Sequence, residues 1–161
     1  MSNRRVITYL LVMALILAGS VGFAQGEIND FYNRVKDDTG MESKRIPPKM
    51  ASFFVEEEDY PEAVDILKSL TSLKYLNFWG DEHTIKKYAV EARANTGDHK
   101  SLLESDDKVR KVHVFGIKKR GKIKRVIAVC ESKSQFLLII AKGKLTKKQL
   151  DNVPALAKEI Q

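Results

Sequence analysis

Between Val109 and Lys142 the chain is apolar at both strand parities, and this limits the folds open to it. The stretch reads as three strands, Lys111–Lys118, Ile123–Glu131 and Gln135–Lys142, joined by two tight turns. In the middle strand Val126, Ala128 and Cys130 point one way, Ile127 and Val129 the other. In the third, Phe136, Leu138 and Ile140 oppose Leu137, Ile139 and Ala141. Successive side chains leave a strand on opposite faces, so both faces of this sheet are apolar. An antiparallel sheet with one wet face would instead alternate apolar and polar residues. Either helices cover both faces, or a second copy of the chain or a hydrophobic ligand covers one.

The rest of the chain supplies the helices. Ile28, Phe31, Tyr32 and Val35 follow i, i+3, i+4, i+7 and predict a helix over Glu27–Asp38, with Gly40 as a left-handed cap. Glu42–Ile46 reads as a short strand. Pro47 and Pro48 break it and lead into a second helix over Lys49–Val55, with Met50, Phe53 and Phe54 inward. A third helix is expected over Tyr60–Leu70, started by Asp59 and Glu62, with Ala63, Ile66, Leu67 and Leu70 inward. Ser72–Trp79 alternates as a strand, with Trp79 packed in the core or at its rim. Asp81 N-caps a fourth helix, Glu82–Asn95, whose inner face is Ile85, Tyr88, Ala89 and Ala92. Residues 99–108 are polar and weakly patterned, and read as a loop.

The last helix has the clearest start. Thr146 and Gln149 form a capping box, and Leu145 and Leu150 the matching hydrophobic staple. Leu150, Val153, Ala157 and Ile160 mark its inward side, and Pro154 kinks or splits it. Consecutive strands flanked by helices predict an α+β domain. The expected architecture is an antiparallel sheet of about five strands with a C-terminal three-stranded meander, packed by about five helices.

The N-terminus reads as an export signal. Arg4 and Arg5 precede an apolar run from Val6 to Ala18, about 13 residues long, shorter than a membrane span. Gly22 and Ala24 place small residues at the positions a signal peptidase requires. Residues 1–24 are thus expected as a signal peptide and 25–161 as a single α+β domain beginning at Gln25. A retained N-terminal anchor is the alternative. Leu17-Ala18-Gly19-Ser20 resembles a bacterial lipobox with serine where the acylated cysteine stands, so a soluble periplasmic or outer-envelope protein is expected. Cys130 is the only cysteine, which rules out an intramolecular disulfide; within a strand it reads as a small core residue.

Chemistry is thinly signposted. His83, His99 and His113 do not stand at metal-ligand spacing, and Glu56-Glu57-Glu58-Asp59 lacks the alternation and glycine of a calcium loop. No phosphate-loop, nucleophile-elbow or zinc-protease motif occurs. No catalytic residue, metal or cofactor is assigned, and the reading favours a non-enzymatic binding or scaffolding protein. A hydrolase site assembled only in three dimensions and a carrier of an apolar ligand stay as alternatives.

Charge is unevenly divided. Residues 25–107 hold 11 Lys and Arg against 18 Asp and Glu, net −7; residues 108–161 hold 15 against 3, net +12. Six of the eight residues from Lys118 to Arg125 are basic: Lys118, Lys119, Arg120, Lys122, Lys124 and Arg125. Clustered cations attract polyanions over about a Debye length, ~8–10 Å at moderate salt. This hairpin is the candidate contact for an anionic envelope component, a lipid phosphate or acidic glycan, or for a protein partner. Few aromatics interleave the cations, so nucleic acid is not expected. The competing explanation is that hairpin cations keep an edge from pairing with other chains.

Several features stand in register with a known family: Phe31-Tyr32-Asn33 with Asp37-Asp38-Thr39-Gly40, Met50 with Phe53-Phe54, Leu70–Leu76 leading into a strand, the basic hairpin, Phe136–Ala141, and Gly143-Lys144-Leu145-Thr146. On these the chain resembles the domain of unknown function 4252 family of small exported bacterial envelope proteins. The resemblance implies an α+β exported domain with no established activity and no active-site residues to carry over. Members often look like lipoproteins, from which Ser20 departs.

Overall fold

The structure, a computed structural model, describes residues 27–51 and 61–154. In chain order the elements are α1 (Glu27–Val35), β1 (Met41–Ile46), α2 (Pro48–Ala51), α3 (Pro61–Lys68), β2 (Leu70–Trp79), α4 (Glu82–Ala94), β3 (Lys100–Asp106), β4 (Arg110–Lys119), β5 (Lys122–Ser132), β6 (Gln135–Leu145) and α5 (Lys147–Asp151). Six strands form one antiparallel sheet in the order β1-β2-β6-β5-β4-β3. The α+β class and the C-terminal meander are as expected from sequence. The sheet has six strands rather than five because β3 occupies the stretch read as a loop.

Helices cover both faces. On face A, α1 contributes Ile28, Phe31, Tyr32 and Val35, and α4 contributes Ile85, Tyr88, Ala89 and Ala92. They pack on Leu76, Phe78, Phe115, Ile127, Val129, Phe136 and Leu138. On face B, Ile66 of α3 and Leu150 of α5 pack with Val112, Val114, Val126, Ala128, Cys130, Leu137 and Ala141. The two parities of β5 and β6 are thus divided between two cores. Each core is apolar because burial of a Leu or Phe side chain favours the folded state by about 1.5–3 kcal/mol. Leu73, Tyr75, Leu102, Leu103 and Ile139 on face B are only partly buried.

Local chemistry explains the boundaries. Asp81 caps α4 by accepting from Thr84 N at 2.9 Å. Thr146 and Gln149 complete the capping box of α5, and Leu145 and Leu150 are both buried. Helix α5 stops at Asp151, ahead of Pro154, so the proline splits the predicted helix rather than bending it. Helix α1 ends at Val35 rather than Asp38, with Gly40 in the left-handed region at φ 80°. The β4–β5 turn has positive φ at both central residues, Arg120 (52°) and Gly121 (73°), which matches the right-handed twist of a hairpin.

Two inward assignments need correction. Met50 is 54 % exposed, because α2 is a single turn at the surface. In α3 the buried residues are Val64 and Ile66, while Ala63 and Leu67 are half-buried and Leu70 already belongs to β2. Trp79 is 52 % exposed at the end of β2, so of the two expected positions, core and rim, it takes the rim. Residues 1–24, Phe53, Phe54, the 56–59 acidic run, Ala157 and Ile160 lie outside the described residues.

Tyr88 ties the elements of face A together. Its ring meets Phe78 edge-on at 5.3 Å and Phe136 at 5.6 Å, and its hydroxyl donates to Asp38 Oδ2 at 2.7 Å. Burial, aided by the Asp38 bond, pushes the phenol up to about 12 from an ordinary 10.0. The folded value exceeds the unfolded one, so this contribution to stability is intact below pH 10.0 and is lost as the pH rises through about 12. Thermal melts across that alkaline window should fall more steeply for the parent chain than for Tyr88→Phe. A second expectation concerns Gly143, where a Cβ would lie 2.3 Å from Ser69 O as β2 begins. Gly143→Ala should lower the stability measured by denaturant unfolding by about 1–3 kcal/mol. Lys144→Ala, exposed beside it, should stay within about 0.5 kcal/mol.

Candidate anion site at the basic end of the sheet

Antiparallel pairing carries residues distant in sequence to one end of the sheet. Ile46 pairs with Leu73, Leu70 with Gly143, Ile123 with Leu145 and Lys119 with Lys122. Arg45, Lys74, Lys142 and Lys144 therefore share an end with all six hairpin cations. The opposite end holds Asp81, Glu82, Asp106 and Glu131, with Arg93 pairing to Glu131 at 3.4 Å and Lys111 to Asp106 at 3.6 Å. Among the described residues no carboxylate forms an ion pair with Arg45, Lys74, Lys142 or a hairpin cation.

The six residues singled out from sequence separate into two settings. Lys118, Lys119, Arg120 and Lys122 are exposed around the turn, and Lys124 is half-buried on β5. Both hairpin strands lie inside the sheet: β4 pairs with β3, β5 with β6. Strand β3 reaches only Gly116 of β4, so Lys118 and Lys119 lie on an unpaired stretch where cations also guard an edge, while Lys124 and Arg125 lie inside the sheet. The outer strands β1 and β3 are charged as well. Arg125, by contrast, has the parity of Ile127 and Val129 and points to face A. Its field and, more strongly, burial hold His99 below the usual histidine range.

On face A a row of cations crosses four strands, and sequence reading missed it. Arg45 has the parity of Met41, Lys74 that of Leu76 and Phe78, and Lys142 that of Phe136, Leu138 and Ile140. Arg45 stands directly opposite Lys74, and Lys142 directly opposite Arg125. Side chains so paired have Cβ atoms about 4.5–5.5 Å apart, and like charges there are destabilising. Lys74 is the most enclosed: its Nζ donates to Asn29 Oδ1 at 2.6 Å and lies 4.3 Å from the centre of the Tyr32 ring. Burial, then the fields of Arg45, Lys142 and Lys36, holds its ammonium below the usual lysine range. Arg45, Lys74 and Lys142 line a cleft of about 400 Å³ with Asn29, Ser72 and Ile140. The available signal in the sequence was a cation at a parity otherwise reserved for the core.

The remaining chemistry-bearing residues are accounted for structurally. His113 stacks on Phe115 at 4.1 Å and lies 2.8 Å from Ser101 Oγ. At the far end of face B, buried Arg110 donates to Gln135, which donates to Asn77, each within 3.0 Å. Among the described residues no group of three His, Cys, Asp or Glu side chains could hold a metal ion, and no helix is long and apolar enough to cross a membrane.

A six-stranded antiparallel sheet with helices on both faces and one basic end defines a small α+β domain of the layered kind. The chain belongs to the family described as Domain of unknown function (DUF4252), which it matches over residues 32–153. Neither the comparison with curated proteins nor that with solved structures gives a match.

Cys130 supplies a check on this placement. Burial pushes its thiol up to about 12, so it is protonated throughout the neutral range. The native chain should be inert to iodoacetamide and become alkylated only on unfolding, read by mass spectrometry. Rapid native labelling would contradict the face B core.

Proposed function

We propose that this chain is an exported, non-enzymatic envelope protein that binds an anionic envelope component, lipid phosphate or acidic glycan, through its basic β4–β5 hairpin. The carrying observation is the hairpin itself: Lys118, Lys119, Arg120 and Lys122 stand exposed around one turn, without carboxylate partners among the described residues. Arg120 adds to it. Among the described residues it is the one non-glycine with positive φ. A side chain in that region costs about 1–2 kcal/mol, relieved most cheaply by Gly or Asn. Retaining arginine there favours charge over stability. Export rests on Arg4, Arg5, the apolar run and the small residues at 22 and 24, and would place the first residue of the processed chain at Gln25, checked by N-terminal sequencing.

Reversing Lys118, Lys119, Arg120 and Lys122 to Glu should leave the fold intact by circular dichroism and abolish retention on a heparin resin. Unchanged retention would move the contact elsewhere. Arg120→Asn should elute at lower salt than the parent while melting at a higher temperature. A lower melting temperature would show that the arginine is there for structural reasons.

A further inference from the structure

The face A cleft is a separate feature from the hairpin tip. Its three cations come from β1, β2 and β6 and converge across the sheet, whereas the tip cations splay around a turn. Lys74 and Lys142 are diagonal neighbours, since Lys74 pairs with Ile140 and Ser72 with Lys142. Diagonal positions lie about 7–8 Å apart, a span one tetrahedral oxyanion can bridge. Arg45 supplies a planar fork of donors suited to such an anion, and the two lysines supply point charges. Asn29 and Ser72 add a neutral amide and a hydroxyl to the lining. A fold that sets Arg45 against Lys74 and Lys142 against Arg125 carries repulsion that a bound anion would convert into attraction.

We propose that the cleft bounded by Arg45, Lys74 and Lys142 is a binding site for a phosphate dianion, free or as the monoester head group of a lipid. This stands on residues outside the hairpin tip and holds or fails independently of the hairpin's role. Lys74 sits deepest, held by Asn29 and the Tyr32 ring, so it contributes a pre-placed ammonium. Arg45 and Lys142, exposed at the rim, close on the remaining oxygens.

The test uses the full chain carrying the hairpin charge reversals, so that only the cleft is read. Calorimetry with inorganic phosphate, sodium chloride being adjusted to keep the ionic strength constant, should show saturable binding. Arg45→Gln and Lys142→Gln should each weaken it by about tenfold or more, the loss expected for one charge-assisted hydrogen bond. Without phosphate the same variants should melt at or above the temperature of their parent, because like-charge repulsion is relieved. With phosphate the parent should gain more in melting temperature than either variant. Cosedimentation with phosphatidylcholine vesicles containing phosphatidic acid then distinguishes the sources. Pelleting that Lys142→Gln abolishes assigns the site to a lipid head group, and binding of soluble phosphate alone assigns it to the free anion. Absence of saturable binding in both arms, or variants that bind as their parent does, overturns the proposal. Heparin retention lost on hairpin reversal while phosphate binding persists would leave both readings standing on their own residues.

Discussion

Everything in this fold depends on β6 being buried on both sides. Its two parities, Phe136, Leu138 and Ile140 against Leu137, Ile139 and Ala141, leave no face that can meet water. An antiparallel sheet satisfies such a strand only by placing it centrally and covering it twice. The chain does both: β2 and β5 flank β6, with α1 and α4 on one side and α3 and α5 on the other. The connection from β2 to β3 follows from this. With the centre taken by β6, the chain leaving β2 crosses face A as α4, packed on β5 and β6, and returns at the opposite edge.

The same register that builds the core concentrates the charge. Pairing sets the ends of β1 and β6 beside the start of β2 and the start of β5 beside the end of β6, and all four carry lysine or arginine there. Among the described residues, the acidic side chains of the N-terminal half pair elsewhere than with the hairpin cations, Arg45, Lys74 or Lys142. Glu82 pairs with Lys86 within α4, Glu42 with Lys44 within β1, and Glu91 with Arg34. Of the two explanations a divided charge allows, complementary packing of the halves accounts for Lys111 with Asp106, whereas Arg93 with Glu131 has the charges the other way round.

How much could be read in advance differs by element. Helix α4 was legible to its cap and its four inward residues, because a period near 3.6 and an aspartate before it are local signals. Strand β3 was not. It is an edge strand with a bulge between Ser101 and Leu103, so alternation fails where it would be diagnostic, and Leu102 and Leu103 both pack toward face B. Of the residues expected inward on helix α3, Ile66, Leu67 and Leu70 do pack into face B, and Val64 is buried where Ala63 was expected. The hairpin cations were visible as a run. Arg45, Lys74 and Lys142 were invisible as a group, each being one lysine or arginine in a strand.

From sequence alone follow the α+β class, the meander, the capped helices, the family and the basic run, because each rests on neighbours within a few turns or strand residues. Only the tertiary structure decided that helices take both faces of the sheet, that β4 and β5 are interior, and that cations from distant strands meet in one cleft. Those outcomes depend on strand order and register, which are set by how two cores pack at once. No local stretch of the chain carries that information.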